Sequence, residues 1–297
     1  MAETKTTPSI SIRDLTSFED LKKAEEVEKH VWGVADADAL PMTMAVATRE
    51  AGSIWVGAFD GNKLVGFAFG FPGFENGSLM LHSHMLAVLP GYRDYNLGYK
   101  LKLTQRDRSL AARLQRMTWT FDPLQSKNAH FNFCKLGVVS DKYKIDFYGP
   151  STSSVLHRNS TDRLWVTWPL ASRRVQQRLG GKDVRAEMMD ALSGLQPLVR
   201  FNVDGTPVRT DLAEALARQR IAIEIPSDIT AMENDNPALA REWRLATRWA
   251  FSEALKAGFF VAEFCRMVRG KQGPGVYLLE KGSMDEYVPE LAHDFMR

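Results

Sequence analysis

Two apolar, aromatic runs, Ile54–Phe59 and Leu64–Phe71, flank the turn cluster Asp60-Gly61-Asn62. Runs this short, rich in β-branched and aromatic residues and closed by such a turn, predict an antiparallel hairpin. A third run, Leu79–Leu89, follows and stops at Pro90, so the chain must build around a sheet of sequential strands. Upstream, Ile10, Ile12 and Leu15 predict a first strand. Ser17 and Asp20 stand at capping-box spacing before the helical series Phe18, Leu21, Val27 and Val31. Pro41 and Gly52 bracket a second helix over Met42–Ala51.

Downstream, residues 96–116 predict a long helix with Leu97, Leu101, Leu110 and Leu114 on its buried face. Met117–Phe121 and Leu164–Trp168 predict strands, and Ser126–Leu136 a helix stopped by Gly137. The order β-α-α-β-β-β-α-β-α-β is that of an α/β fold. The Arg-, Gln- and Gly-rich stretch 171–196 is expected to link a first domain, 10–170, to a smaller α+β module, 197–297. That module comprises a strand at Ile221–Ile225, a helix capped by Asn236-Pro237 and stopped by Gly258, and strands at Phe259–Cys265 and Val276–Leu279. Residues 1–9 are polar and expected to be a disordered terminus.

Charge narrows the function. The 38 basic and 36 acidic residues nearly cancel to +2, so the chain is not built to coat nucleic acid or an anionic membrane, and any anion must be held locally. Two cysteines, Cys134 and Cys265, lie far apart without metal-ligand spacing. No disulfide scaffold or metal site is expected, and a reducing, cytoplasmic setting fits. No apolar run reaches bilayer-spanning length.

The most informative segment runs from Leu81 to Gly98: Leu81-His82-Ser83-His84-Met85-Leu86-Ala87-Val88-Leu89-Pro90-Gly91-Tyr92-Arg93-Asp94-Tyr95-Asn96-Leu97-Gly98. A strand entering a helix through a turn aims several unpaired backbone N–H groups, and the positive end of the helix dipole, in one direction. A pyrophosphate suits such a site, although an ordinary strand–loop–helix looks the same in sequence. His82 and His84 stand two apart on the strand and so share a face, where imidazoles that titrate near neutrality can pass a proton. Buried histidines satisfied within a sheet are the competing reading.

The run from Leu86 to Gly98 resembles the acyl-CoA motif of the GNAT acetyltransferase superfamily: a strand ending in a small residue and valine, then Arg, two residues, Gly-x-Gly, and a long helix. Arg93 and Gly98 match. Asn96 replaces the middle glycine and, among non-glycine residues, readily takes the left-handed conformation. The resemblance implies a mixed, mostly antiparallel sheet with helices on both faces. It also implies acetyl-CoA as acyl donor, with the Leu86, Ala87 and Val88 edge pairing with the pantetheine arm. Arg93, Asp94, Tyr95, Asn96, Leu97, Gly98 and Tyr99 would surround the pyrophosphate. His82-Ser83-His84 followed by Met85-Leu86-Ala87-Val88 is similar to the His-x-His strand of the serotonin N-acetyltransferases, which implies that His82 and His84 are catalytic and deprotonate an amine.

The family's second helix pattern, Asn-x-x-Ala-x-x-x-Tyr-x-Lys-x-Gly, is met by Ala129, Lys135 and Gly137, while Ser126 replaces the Asn and Phe133 the Tyr. Ser126 is carried as a cofactor contact. Phe133 cannot protonate a leaving thiolate, so the thiolate leaves unassisted, or Tyr143 or Tyr148 assists, or the protein binds acyl-CoA without catalysis. Glu75 and Asp122 are candidates to orient the imidazoles or bind an amine, or are simply solvated carboxylates. Lys100, Lys102, Arg106 and Arg108 are candidates for the 3′-phosphate or simply a solvated face. Phe67, Phe69, Phe71 and Phe74 line either a cleft or the core. Expected partners are a small-molecule amine and a second copy of the chain through the C-terminal module, with neither nucleic acid nor membrane.

Overall fold

The structure is a computed structural model and describes residues 8–36, 38–75, 77–149, 159–266, 273–284 and 287. Most of the expected polar terminus, 1–7, lies outside the described residues. The described residues divide into two compact units at Met117/Thr118, so the expected boundaries at 170 and 196 fall inside the second.

The first unit is a four-stranded sheet in the order β1-β2-β3-β4, formed by β1 (Ile10–Asp14), β2 (Ile54–Asp60), β3 (Lys63–Glu75) and β4 (Ser78–Val88), antiparallel throughout. Asp60 and Lys63 close the β2–β3 hairpin, where Gly61 takes φ 57° as a tight hairpin turn requires. Ser17 caps α1 (Phe18–Trp32), its hydroxyl accepting from the Asp20 N–H at 3.1 Å. Asp20 turns its carboxylate onto Arg13 of β1. Helix α1 and α2 (Met42–Glu50) cover a core of Leu15, Leu21, Trp55, Phe67, Phe69, Met85 and Ala87. Helix α3 (Leu97–Ala111) sets Leu97 and Leu101 against Val56, Ala58, Val65 and Ala68.

Helix α3 stops at Ala111, short of the expected 116. Arg113 is left-handed (φ 61°), and the Leu114 N–H returns to Ser109 O at 2.9 Å, a Schellman-type stop made without glycine. Leu110 is only half-buried, and the buried face carries Lys102, Gln105 and Ser109 instead.

The second unit follows the strand order β5-β7-β6-β11-β12-β10-β8-β9. Its strands are β5 (Arg116–Phe121), β6 (Val139–Lys144), β7 (Arg163–Pro169), β8 (Val199–Phe201), β9 (Pro207–Arg209), β10 (Arg220–Ile225), β11 (Phe259–Cys265) and β12 (Gly275–Lys281). The β8–β10 pair is parallel, whereas β6–β7, β6–β11, β11–β12, β10–β12 and β8–β9 are antiparallel. The sheet is thus mixed and mostly antiparallel. Helices α4 (Ser126–Ala129), α5 (Arg173–Leu179), α6 (Arg185–Leu192), α7 (Leu212–Leu216), α8 (Ile229–Asp235) and α9 (Pro237–Lys256) complete it. The helix expected over 126–136 turns into a π-helix from His130 to Leu136, and Gly137 ends it at φ 78°. Among the described residues no helix is long and apolar enough to cross a membrane.

Candidate active site

The first unit brings the strand-to-helix segment together. Strand β4 ends at Val88, and Leu89 is tied back to β3 by its N–H to Val65 O, 2.9 Å. A 3₁₀ turn, Pro90–Tyr95, then leads to Asn96, which is left-handed at φ 58° and ψ 27° and immediately precedes α3. The turn is anchored to the β2–β3 hairpin: the Tyr92 hydroxyl donates to Asp60 Oδ2 at 2.9 Å, and Lys63 Nζ lies 5.7 Å from the Tyr92 ring centre.

The Asn96 side chain makes no capping hydrogen bond, and a helix leaves its first N–H groups without intrahelical acceptors. Arg93, Asp94, Tyr95 and Asn96 are exposed, Leu97 is buried, and Gly98 and Tyr99 are half-buried. A β-carbon placed on Gly98 would meet only Leu86 Cδ2, at 3.8 Å, so protein packing leaves open space above this glycine. Arg93 reaches back to Val88 O through Nε at 3.4 Å.

The imidazole pair lies upstream on the same strand. Register pairs Phe69 with Met85 and Gly70 with Ser83, which makes His84 the extra residue of a β-bulge. His82 lies opposite Phe71. The two imidazole centroids are 6.2 Å apart, and both rings pack on Phe71, at 5.4 Å for His82 and 5.9 Å for His84; His84 also meets the Phe69 edge at 6.1 Å. His82 is buried and His84 exposed.

Burial, helped by His84 and Lys102, lowers the His82 pKa to about 4; burial also lowers that of His84. Both shifts favour the uncharged form of the imidazole. Of the aromatic series, Phe67 and Phe69 are core, Phe71 floors the imidazoles, and Phe74 is exposed.

The basic residues of α3 do not act alike. Arg108 pairs with Asp14 (Nε–Oδ1 2.9 Å), and Lys102 is buried with Nζ 2.6 Å from Ser83 Oγ, so neither stands free for a phosphate. Lys102 was hidden in the sequence because a lysine between helix turns reads as surface.

The remaining candidates belong to the second unit. Ser126 is buried at the start of α4. Asp122 binds Arg244 at two points, which leaves it no imidazole to orient. Phe133 is fully buried, edge-on to Phe121 and Tyr277. The Tyr143 hydroxyl donates to Asp162 Oδ2 at 2.6 Å, and burial holds its pKa well above the usual phenol range, so it is committed elsewhere. The Tyr148 hydroxyl lies 3.2 Å from Thr120 Oγ1.

No protein-family model and no curated protein matches the sequence. Solved structures do. The chain is similar to the ribosomal-protein-S18-alanine N-acetyltransferase of Escherichia coli, with 15% identity and TM-score 0.45 over 55% of this chain and 96% of that one. It is similar to Arabidopsis thaliana Naa50 in complex with the bisubstrate analogue CoA-Ac-MVNAL, with 16% identity, TM-score 0.43, and 54% and 97% coverage. An acetyltransferase of the GNAT family from Streptococcus pneumoniae gives 14% identity, TM-score 0.42, and 54% and 98% coverage. In fold the chain is similar to acetyltransferases of the GNAT family, over about half its length and at low identity.

Proposed function

We propose that this chain is an acyl-CoA-dependent N-acyltransferase that moves an acetyl group from acetyl-CoA to a primary amine. The observation that carries the reading is one continuous segment: two neighbouring imidazoles on β4, the strand that leads through a left-handed Asn96 into the N-terminus of α3. Backbone N–H groups from Tyr95 to Tyr99 would hold the diphosphate, aided by the helix dipole. The open space at Gly98 lets a ligand approach the backbone. The Leu86–Val88 edge would pair with the pantetheine arm.

An ammonium must lose a proton before its nitrogen attacks the thioester carbonyl. His82 and His84 would receive that proton and pass it to water from the exposed His84. The C–N bond forms and the C–S bond breaks; the nitrogen gives up its second proton to solvent, and CoA leaves as thiolate, which solvent protonates.

Calorimetry with acetyl-CoA, and thiol release against a panel of primary amines, test the reading together. Absence of acetyl-CoA binding at millimolar concentration rejects it. A second reading, acyl-CoA binding without turnover, is favoured by Phe133 and by the commitment of Tyr143 to Asp162. Binding without thiol release would select it.

A further inference from the structure

On the far side of β4 from the imidazoles lies a buried polar cluster that the proposed reaction leaves unused. Lys102 Nζ donates to Ser83 Oγ at 2.6 Å, and Ser83 Oγ donates to Gln105 Oε1 at 2.6 Å. All three residues are buried. Lys102 and Gln105 stand three apart on α3 and so share a face, while Ser83 immediately precedes the bulged His84.

Two details show that this cluster is built in. Gln105 Nε2 is buried without a hydrogen-bond partner, a cost that an apolar residue would have avoided. Gly70, paired with Ser83, is where a β-carbon would come within 2.9 Å of both Gln105 Nε2 and His82 O; the facing strand is bare where the amide sits.

A bulge is a weak point of register. A strand can regain a regular ladder by slipping one residue, and such a slip turns its side chains to the opposite face. Here the slip would carry Ser83 away from α3, break both 2.6 Å bonds, and turn His82 and His84 off the Phe71 face. The polar ends of Lys102 and Gln105 would lose their hydroxyl in a dry environment. We propose that Ser83, Lys102 and Gln105 are positioning residues that lock the β4 bulge and so hold His82 and His84 on the Phe71 face of the sheet. The use made of the imidazoles rests on the acyltransferase reading; their placement does not.

The full-length protein tests this with Ser83→Val, Ser83→Thr and Lys102→Met. Both histidines sit close to the Phe71 ring, so their imidazole proton signals carry a ring-current shift that reports placement without any turnover. Ser83→Val and Lys102→Met should lose that shift at an unchanged far-ultraviolet circular dichroism spectrum, whereas Ser83→Thr, which keeps the hydroxyl, should retain it. In turnover the first two should lower kcat about 10²-fold and leave the KM for acetyl-CoA within about twofold. Wild-type imidazole signals in a folded Ser83→Val overturn the proposal, as does a loss in Ser83→Thr equal to that in Ser83→Val. If Ser83→Val does not fold, Lys102→Met decides: moved signals support the proposal and unmoved ones overturn it. Absence of thiol release in every variant, the wild type included, would fall on the proposed function and leave the imidazole signals to judge the positioning.

Discussion

Asp122 and Arg244 meet in a two-point ion pair, Nη1 to Oδ1 at 2.7 Å and Nη2 to Oδ2 at 2.6 Å, within the second unit. Arg244 is buried on α9, and its Nε also donates to Asn159 O at 3.0 Å. Removing one partner strands a buried charge, so Arg244→Met should cost about 3–5 kcal/mol in urea unfolding. The double variant Asp122→Leu with Arg244→Met should recover part of that loss. A double variant no more stable than Arg244→Met alone would show that the pair is not coupled.

Gly98 lies in the first turn of α3 with room for a methyl group. Alanine favours helix over glycine by about 1 kcal/mol, so Gly98→Ala should hold or raise the melting temperature. The same methyl would occupy the space assigned to the diphosphate, and acetyl-CoA affinity measured by calorimetry should fall at least tenfold. Unchanged affinity would move the anion elsewhere.

His82 links stability to pH. Its folded pKa is about 4 against 6.5 for the free side chain, so the unfolded chain binds a proton that the native chain refuses. The contribution is fully present above pH 6.5 and is lost as the pH falls through about 4. Between pH 7 and pH 5 it amounts to about 2 kcal/mol. His82→Phe, which keeps an aromatic ring beside Phe71, should be less sensitive to acid by that amount, as read from denaturation midpoints at the two pH values.

Replacing both His82 and His84 with glutamine should cut turnover roughly 10²-fold near neutral pH and leave acetyl-CoA binding nearly unchanged. Equal losses in thiol release and in calorimetric affinity would argue against a proton path through these rings.

Local chemistry was legible and register was not. Ser17, Gly61 and Gly137 act through their own backbone or nearest neighbours and sit where the sequence puts them; Asn96 is left-handed as its identity suggests. The sharing of a face by His82 and His84 follows from their spacing, but the bulge at His84 depends on pairing with β3 and leaves no mark in β4 itself. Nothing in the sequence marks Lys102, Gln105 and Arg244 as buried, because burial of a polar side chain is decided by the partner that receives it. Strand β6, Val139–Lys144, was missed because Ser140, Asp141, Lys142 and Lys144 hide any apolar alternation. The stop of α3 at Ala111 uses Arg113 where a glycine would have announced it.

The single-residue offset at His84 makes the two halves of β4 out of phase with each other. Deleting His84 would straighten the strand while Ser83 stays opposite Gly70 and Met85 opposite Phe69, so the inserted residue adds the second imidazole without altering which way its neighbours point. Anyone redesigning this strand must therefore keep one residue between Gly70's partner and Phe69's partner only if the second imidazole is to keep its place.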